Sequence, residues 1–438
     1  MQSLQRQREI YINGLAGRIP KIPLSFAGLE QRALQILSKN AFAYLAGGAG
    51  RETTIDNNRH ALDQIKIHPS VLGGVQEVSM QLKWREHTLP APFMLAPIGV
   101  LELAHREGDK EAARAAAATG IPMIISNQAS FPIEDIAVQL KASPRLFQLY
   151  YSKSQELSKS FIRRAEAVGC SALVVTLDTT MLGWRVRDLN LGYSPFLFGL
   201  GIAQYYSDPV FNQLPDPIEQ TSLRPPLTLT FIKSIISLNN RIPGGFWKNL
   251  QSNHAMKTVR KFTSIFNNSG MNWDDISRIR EWTRLPIYLK GILRPDDAIK
   301  AVQAGIDGII VSNHGGRQID HGLGSMDTLP EIVQAVNGKA RIIVDGGVQR
   351  GTDILKAVAL GADVVALGRL QGWGLAAGGK DGVVRMLEIL EDELICAMGL
   401  IGVTSMDQVT PQYVCKAEPV TLPHEMSAWV NMRVGRIH

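Results

Sequence analysis

Gly308-Ile309-Ile310-Val311-Ser312-Asn313-His314-Gly315-Gly316-Arg317-Gln318 is the stretch from which the fold can be read. Its opening residues, Gly308 to Val311, make an apolar run with the length of a buried parallel strand. The run stops at Ser312, and no apolar side chain returns until Ile319. In a parallel α/β fold, ligands bind and reactive groups project at the C-terminal ends of strands. His314 and Arg317 put a titratable base and a fixed cation close together at such an end. That pairing points to a site handling a proton and an anion together. Taken alone, the same residues also suit a glycine-rich turn with a capping histidine and a solvated arginine.

Outward from this stretch the chain repeats one unit. Short apolar runs at 93–97, 122–126, 145–150 and 172–178 alternate with helical patterns at 109–119, 133–140 and 156–168. After an interruption the period resumes with strands at 286–290, 308–312, 341–345 and 363–368. Helices are expected at 273–283, 296–304, 329–336, 351–360 and 382–397. Eight strands alternating with helices predict an α/β fold of the (β/α)8 TIM barrel type rather than an open doubly wound sheet. The expected organisation is an N-terminal helical segment (1–90) packing on the barrel, the barrel itself (91–400) and a C-terminal tail (401–438). The tail has no functional reading. Within 1–90, residues 1–28 read as mixed with turns, and one helix is expected from Leu29 to Leu45 before the stop at Ala46-Gly47-Gly48.

The interruption, about 189–271, follows strand 4 and is far longer than an ordinary βα connection. Its first part, Tyr193-Ser194-Pro195-Phe196-Leu197-Phe198-Gly199-Leu200, is apolar and aromatic. A lid, a subunit contact and a membrane-touching patch are all open readings. The lid and the subunit contact are favoured because no cationic amphipathic face accompanies the run.

Composition sets the outer bounds. The 438 residues are 45% hydrophobic and 20% charged, as in ordinary globular proteins. The formal charge of +6 is carried by scattered basic residues with no nucleic-acid motif, so nucleic acid is not expected as a partner. Cys170, Cys396 and Cys415 form no metal-ligand spacing and no disulfide framework. The polar start of the chain and the lack of a spanning-length apolar run lead us to expect a cytoplasmic protein without membrane contact.

In a barrel the polar residues that close each strand converge on one face. Here they are Pro97-Ile98-Gly99, Ser126, Gln148 with Tyr150, Thr176 with Asp178, Lys290, Ser312 with His314, Asp345-Gly346-Gly347, and Gly368-Arg369. Glycines after strands 7 and 8 let backbone N–H groups reach a phosphate, with Arg369 adding charge. Ser126, Gln148 and Thr176 are uncharged hydrogen-bonders that suit a planar heterocycle, and Lys290 sets a positive charge beside it. Phosphate at one end and a ring across the mouth predict a mononucleotide-type cofactor, FMN.

With these motifs in place, the chain resembles the FMN-dependent 2-hydroxy acid oxidase/dehydrogenase family. The likeness rests on Tyr44-Leu45-Ala46-Gly47-Gly48, Phe147-Gln148-Leu149-Tyr150, Thr176-Leu177-Asp178-Thr179, Leu289-Lys290-Gly291, the 312–318 stretch and Asp345-Gly346-Gly347-Val348. Within the family the likeness is greatest to the lactate 2-monooxygenase branch, through Ala96-Pro97-Ile98-Gly99-Val100, Leu182-Gly183-Trp184-Arg185 and the long insertion. The resemblance implies that His314 is the base, oriented by Asp178. It implies that Arg185 and Arg317 clamp the substrate carboxylate, and that Tyr44 and Tyr150 hydrogen-bond the carboxylate or the reacting oxygen. Lys290 would stabilise the reduced flavin. Pro97, Ile98, Gly99, Ser126, Gln148, Thr176, Ser312, Asp345, Gly346, Gly347, Gly368 and Arg369 would complete the FMN site. The implied activity is oxidation of a small, lactate-like L-2-hydroxy acid with O2 as acceptor, of lactate 2-monooxygenase or oxidase type, in a homotetramer. A quinone-linked dehydrogenase is the alternative. A degenerate barrel that only binds a phosphate-bearing ligand is a third reading.

Three residues depart from the family pattern. Gln349 replaces an arginine near the flavin phosphate, and Leu370 replaces a proline after the Gly-Arg pair. Gln128 stands where an apolar or aromatic residue usually faces the substrate side chain. Gly99 is expected to leave open space near the flavin, where oxygen approaches.

Overall fold

A computed structural model describes residues 2–217 and 226–417. Eight parallel strands close into a barrel: β1 (Phe93–Leu95), β2 (Met123–Ile125), β3 (Arg145–Leu149), β4 (Ala172–Thr176), β5 (Ile287–Ile292), β6 (Gly308–Val311), β7 (Arg341–Asp345) and β8 (Val364–Leu367). Each strand pairs with its neighbours in sequence, and β8 pairs with β1, so no edge remains.

Alternation along the strands sorts the core into two layers. In β6, Ile310 points into the barrel, whereas Ile309 and Val311 point out to the helices. Met94, Ile124, Leu146, Val174, Tyr288, Ile343 and Val364 fill the interior with Ile310. Trp84 and Leu89, from a two-stranded hairpin (Leu82–Trp84 and His87–Leu89), join this inner cluster. Trp84 stacks on Tyr288 at 5.7 Å between ring centroids. A Cβ on Gly308 would lie 2.1 Å from the Tyr288 ring, so this strand must begin with glycine. The hairpin fills the end of the barrel where the strands begin and leaves the opposite mouth to the site.

Several elements differ from the sequence-based expectations. The single helix expected from 29 to 45 is two helices, Phe26–Ile36 and Lys39–Ala46. Ser38 divides them, because its side chain caps the second helix by accepting from the Ala41 N–H at 3.2 Å. Residues Gln2–Leu15 are helical although their apolar pattern is weak. Tertiary ion pairing supports that helix, since Arg6 stands within 3.6 Å of Glu388, 3.2 Å of Glu391 and 3.1 Å of Asp392. The closing helix runs Arg369–Ile401 rather than 382–397, with a break at Gly378 and Gly379.

Past this helix the chain returns to the N-terminal segment, where Val414–Lys416 pairs antiparallel with Ile65–Ile67. The rest of the expected tail, 418–438, lies outside the described residues.

The described residues of the insertion form short helices and turns, with longer helices at Leu229–Arg241, Phe246–Ser252 and His254–Ile265. Its aromatic residues face one another. Tyr205 meets Phe262 at 4.7 Å, and Phe262 meets Phe196 at 5.3 Å and Phe266 at 5.1 Å. Tyr205 is fully buried and donates from its hydroxyl to Asn127 just past β2. The apolar run at 193–202 therefore mostly serves the insertion's own core and its seat on the barrel. Among the described residues no helix is long and apolar enough to cross a membrane.

Candidate active site

The loop after β6 is shaped by one asparagine. Asn313 accepts from the Gly316 N–H at 3.1 Å and exchanges reciprocal amide hydrogen bonds with Asn58 at 2.9 and 2.8 Å. Asn58 lies on helix Thr53–Gln64, so the N-terminal segment anchors the loop. His314 itself adopts φ 58°, a conformation L-residues rarely take, followed by Gly315 and Gly316 in the same region. This turn aims the imidazole back across the mouth of the barrel.

His314 Nδ1 lies 2.7 Å from Asp178 Oδ1 and 3.1 Å from Thr179 Oγ1. The Thr179 hydroxyl lies 2.9 Å from the same Asp178 oxygen and donates to it. An ionised carboxylate only accepts, so the proton sits on Nδ1 and Nε2 keeps its lone pair. Burial pushes the Asp178 carboxyl up, but the charges of His314 and Lys290 and the bonds from His314 and Thr179 outweigh it and hold it at about 2. Burial, with help from Lys290, pulls His314 below the usual imidazole range against Asp178. At neutral pH the pair is thus a carboxylate and a neutral imidazole, ready to accept a proton.

Lys290, in the C-terminal half of β5, is buried and donates to Ser312 Oγ at 2.7 Å. It stands 3.2 Å from Asp345 and 3.7 Å from Asp178. Burial opposes its charge, but these two carboxylates more than offset that and raise its pKa. Ser312 Oγ also accepts from the His314 N–H at 3.0 Å, so one hydroxyl ties cation to base.

Arg185 and Arg317 face the same cavity. Arg317 donates to the carbonyls of Tyr44 at 2.7 Å and Gly47 at 2.6 Å, with its guanidinium 5.1 Å from the Tyr44 ring centroid. Arg185 donates to Gln318 Oε1 at 3.2 Å, and Gln318 in turn donates to the Asp178 carbonyl at 3.0 Å. Burial first, then Arg185, lowers the Arg317 pKa to about 9, which leaves it cationic at neutral pH. Among the described residues no carboxylate lies within ion-pair distance of either arginine. Asp188 acts on both charges from a distance but forms no ion pair with either, and two like charges left without a paired carboxylate favour an anionic ligand. Tyr150, pushed up to about 12 by burial and Asp178, stays a neutral donor.

A cavity of about 470 Å³ gathers most of the residues singled out in the sequence. Tyr44, Pro97, Ile98, Gly99, Ser126, Gln148, Tyr150, Thr176, Arg185, Lys290, His314, Arg317, Asp345, Gly346, Gly347, Gly368 and Arg369 line it. Asp178 and Ser312 stand behind this wall and act through His314 and Lys290. Arg369 turns its nitrogens to the carbonyls of Ala46, Gly47 and Gly315, so it joins two loops as well as bringing charge.

The lining suits FMN. The Gln148 carbonyl is fixed by accepting from Ser126 and from the Asn127 N–H, which leaves Gln148 Nε2 buried without a protein partner. Thr176 Oγ1 and Asp345 Oδ1 are also buried and unpartnered. Such groups at the ends of β3, β4 and β7 match the edge of a ring bearing donors and acceptors. Gly368 has open space where a Cβ would stand. Gly346 and Gly347 have a second reason to be glycine, since a Cβ on either would strike Asn58.

The space expected beside Gly99 is not open. Gln128 fills it, its Cβ and Oε1 lying 3.1 and 3.2 Å from where a Gly99 Cβ would be. Sequence reasoning also missed Thr179, Gln318, Phe196 and Phe266. Phe196 and Phe266 come from the two ends of the insertion and wall the cavity. Thr179 and Gln318 lay inside quoted motifs, but nothing local marked them as links between base and arginines.

Comparison with known proteins gives one answer. The profile of the FMN-dependent dehydrogenase family matches residues 33–416. L-lactate oxidase of Lysinibacillus sphaericus (strain C3-41) is 37% identical over 399 residues, covering 91% of this chain and 94% of its own. L-lactate oxidase of Nostoc sp. (strain PCC 7120 / SAG 25.82 / UTEX 2576) is 38% identical over 397 residues, covering 90% and 98%. A crystal structure of mandelate oxidase superposes with a TM-score of 0.71 at 34% identity, covering 90% of this chain and 98% of that one.

Proposed function

Because this chain belongs to the FMN-dependent dehydrogenase family, we propose that it oxidises a small L-2-hydroxy acid and hands the electrons to O2. The observation that carries this reading is the Asp178–His314 pair, at 2.7 Å, beside two arginines that line the same cavity. Arg185 and Arg317 hold the substrate carboxylate, and Tyr44 and Tyr150 orient it. His314 takes up the substrate proton at Nε2, while Asp178 and Thr179 keep Nδ1 protonated and steady the imidazolium that forms. Ser126, Gln148, Thr176, Lys290, Ser312, Asp345 and the glycines after β7 and β8 would hold FMN. Bound there, FMN supplies the two-electron acceptor for the C2 alcohol. Lys290, held beside Asp345 and Asp178, would bring a positive charge that steadies the cofactor as it gains electrons.

Release of the 2-keto acid and hydrogen peroxide would make the enzyme an oxidase. The monooxygenase outcome requires both products to stay together until peroxide decarboxylates the keto acid. Phe196 and Phe266, walling the cavity from the insertion, favour that retention. Assembly as a homotetramer in the cytoplasm belongs to the same proposal and is measured by sedimentation and fractionation.

The test is to mix the yellow holoenzyme anaerobically with L-lactate, follow the bleaching, admit air and assay products. Acetate supports the monooxygenase, and pyruvate with peroxide supports the oxidase. Bleaching without rapid recolouring in air supports a dehydrogenase that uses another acceptor. A flavin that no L-2-hydroxy acid bleaches refutes the proposal.

A further inference from the structure

Gln128 follows β2, and His314 follows β6. In the closed order β7-β8-β1-β2-β3-β4-β5-β6 these strands are four steps apart, on opposite sides of an eight-membered ring. A hydroxy acid whose C2 oxygen meets His314, and whose carboxylate meets Arg185 and Arg317, has its remaining substituent free to point toward Gln128. Both side chains line the same cavity.

Gln128 is held firmly. Its N–H donates to Ser126 Oγ at 3.1 Å, and its carbonyl accepts from the Val100 N–H at 2.9 Å. Gly201 of the insertion closes behind it, where a Cβ would come within 3.0 Å of the Gln128 carbonyl. The side chain is folded over Gly99, and only 8% of the residue is exposed. Yet its carboxamide has no hydrogen-bond partner among the described residues. An amide that opens onto a cavity and makes no hydrogen bond within the protein is suited to a ligand group that both donates and accepts.

The surroundings narrow that group. Arg185 and Arg317 are committed to the substrate carboxylate in the proposed function. The Gln128 carboxamide carries no charge to balance a second carboxylate, so a neutral polar group is favoured there.

We propose that Gln128 is a specificity-determining residue and that the substrate carries an uncharged hydrogen-bonding group on C3, most simply a hydroxyl. The substrate class is then the short L-2,3-dihydroxy acids. This rests on the proposed function and deepens it. The oxidation is unchanged: the C2 carbinol loses two electrons and two protons and becomes a ketone, and C3 keeps its hydroxyl.

L-glycerate and L-lactate differ by one oxygen, on C3, and are the probes. The rate of anaerobic flavin reduction, divided by the apparent Kd, is measured for both with the wild-type holoenzyme. L-glycerate is expected to exceed L-lactate by at least about tenfold. Gln128→Leu should reverse the order, and Gln128→Met, closer in shape, should do the same if the leucine variant does not fold. Equal or better use of L-lactate by the wild type overturns the inference and leaves the proposed function standing. Loss of both activities in equal proportion, or loss of flavin, in the variants assigns Gln128 a structural role and also overturns it. A wild-type flavin that neither acid reduces overturns this inference, and the proposed function falls with it only if a panel of other L-2-hydroxy acids also fails to bleach the flavin.

Discussion

Replacing Asp178 by Asn should slow flavin reduction without moving His314. The carboxamide keeps an oxygen for the Nδ1–H and for Thr179, so the 2.7 and 2.9 Å contacts survive and only the charge is lost. That charge matters once His314 has taken the proton. With the charge centres about 4 Å apart and an effective dielectric of about 20, the attraction is of order 4 kcal/mol. Lys290, 3.7 Å from the other carboxylate oxygen, already offsets part of it. About 2 kcal/mol remains, within the range of about 1.5–3 kcal/mol for hydrogen bonds to charged groups. Each 1.36 kcal/mol is tenfold in rate, so the loss should be roughly 10- to 100-fold. The pH dependence has a definite sign. His314 works as its neutral form, so the rate is lost as pH falls through its pKa, which burial holds below the usual value while Asp178 raises it. Removing Asp178 lowers that pKa further, and the acid limb should move to lower pH. The assay is anaerobic stopped-flow reduction from pH 5 to 9, with whichever of L-lactate and L-glycerate bleaches the wild type. A rate within threefold of wild type at pH 7, with the acid limb unmoved, would refute this account of the pair.

Three further outcomes are expected. Gln349 lines the cavity and donates its N–H to Asp353 at 3.0 Å, so Gln349→Arg should add a charged contact to the FMN phosphate. The Kd for FMN should fall by roughly tenfold or more, at about 1.5–3 kcal/mol per charged hydrogen bond; an unchanged Kd in a titration of deflavinated protein would remove Gln349 from the phosphate site. Phe196→Ala should open the insertion's wall at a stability cost of about 2–3 kcal/mol, less than for a fully buried Phe. If the wild type makes acetate, this variant should make more pyruvate and peroxide, and an unchanged product ratio would count against retention by the insertion. Asp109 is fully buried, and burial pushes its carboxyl up to about 7. Its folded pKa lies above the unfolded value of about 3.9, so its stabilising contribution is present at low pH and is lost as pH rises through about 7. Asp109→Asn keeps an acceptor for the Ser130 N–H, so its Tm relative to wild type should rise between pH 5 and 7, for a stability gain of up to about 3 kcal/mol, and level off above pH 7. A Tm difference that stays constant with pH would show that the carboxyl titrates normally.

The barrel was legible because its signals are local. Each strand is a short apolar run ended by a polar residue or a glycine, and each helix restores an apolar face after it. The ends of those runs named the part of the cavity lining that carries its chemistry, from Gly99 round to Arg369. Elements held by distant partners were not legible. Helix Gln2–Leu15 has little apolar pattern and depends on Arg6 among carboxylates near residue 390. The aromatic run at 193–202 gave no direction, because only the partner rings Phe262 and Phe266 decide which way it faces.

Residue type and period, then, determined the closed α/β barrel, the end of it that bears the site and the kinds of group found there. Ring closure decided which groups meet. It put Asp178 and Thr179 against His314 across more than 130 positions of sequence, and it set Lys290 between two carboxylates. It also packed Gln128 into the space beside Gly99, which sequence alone leaves open. The physical reason is one of range. Strand and helix formation depends on neighbours a few residues away, whereas charge pairing, desolvation and side-chain direction at the mouth depend on atoms brought together only when the last strand pairs with the first.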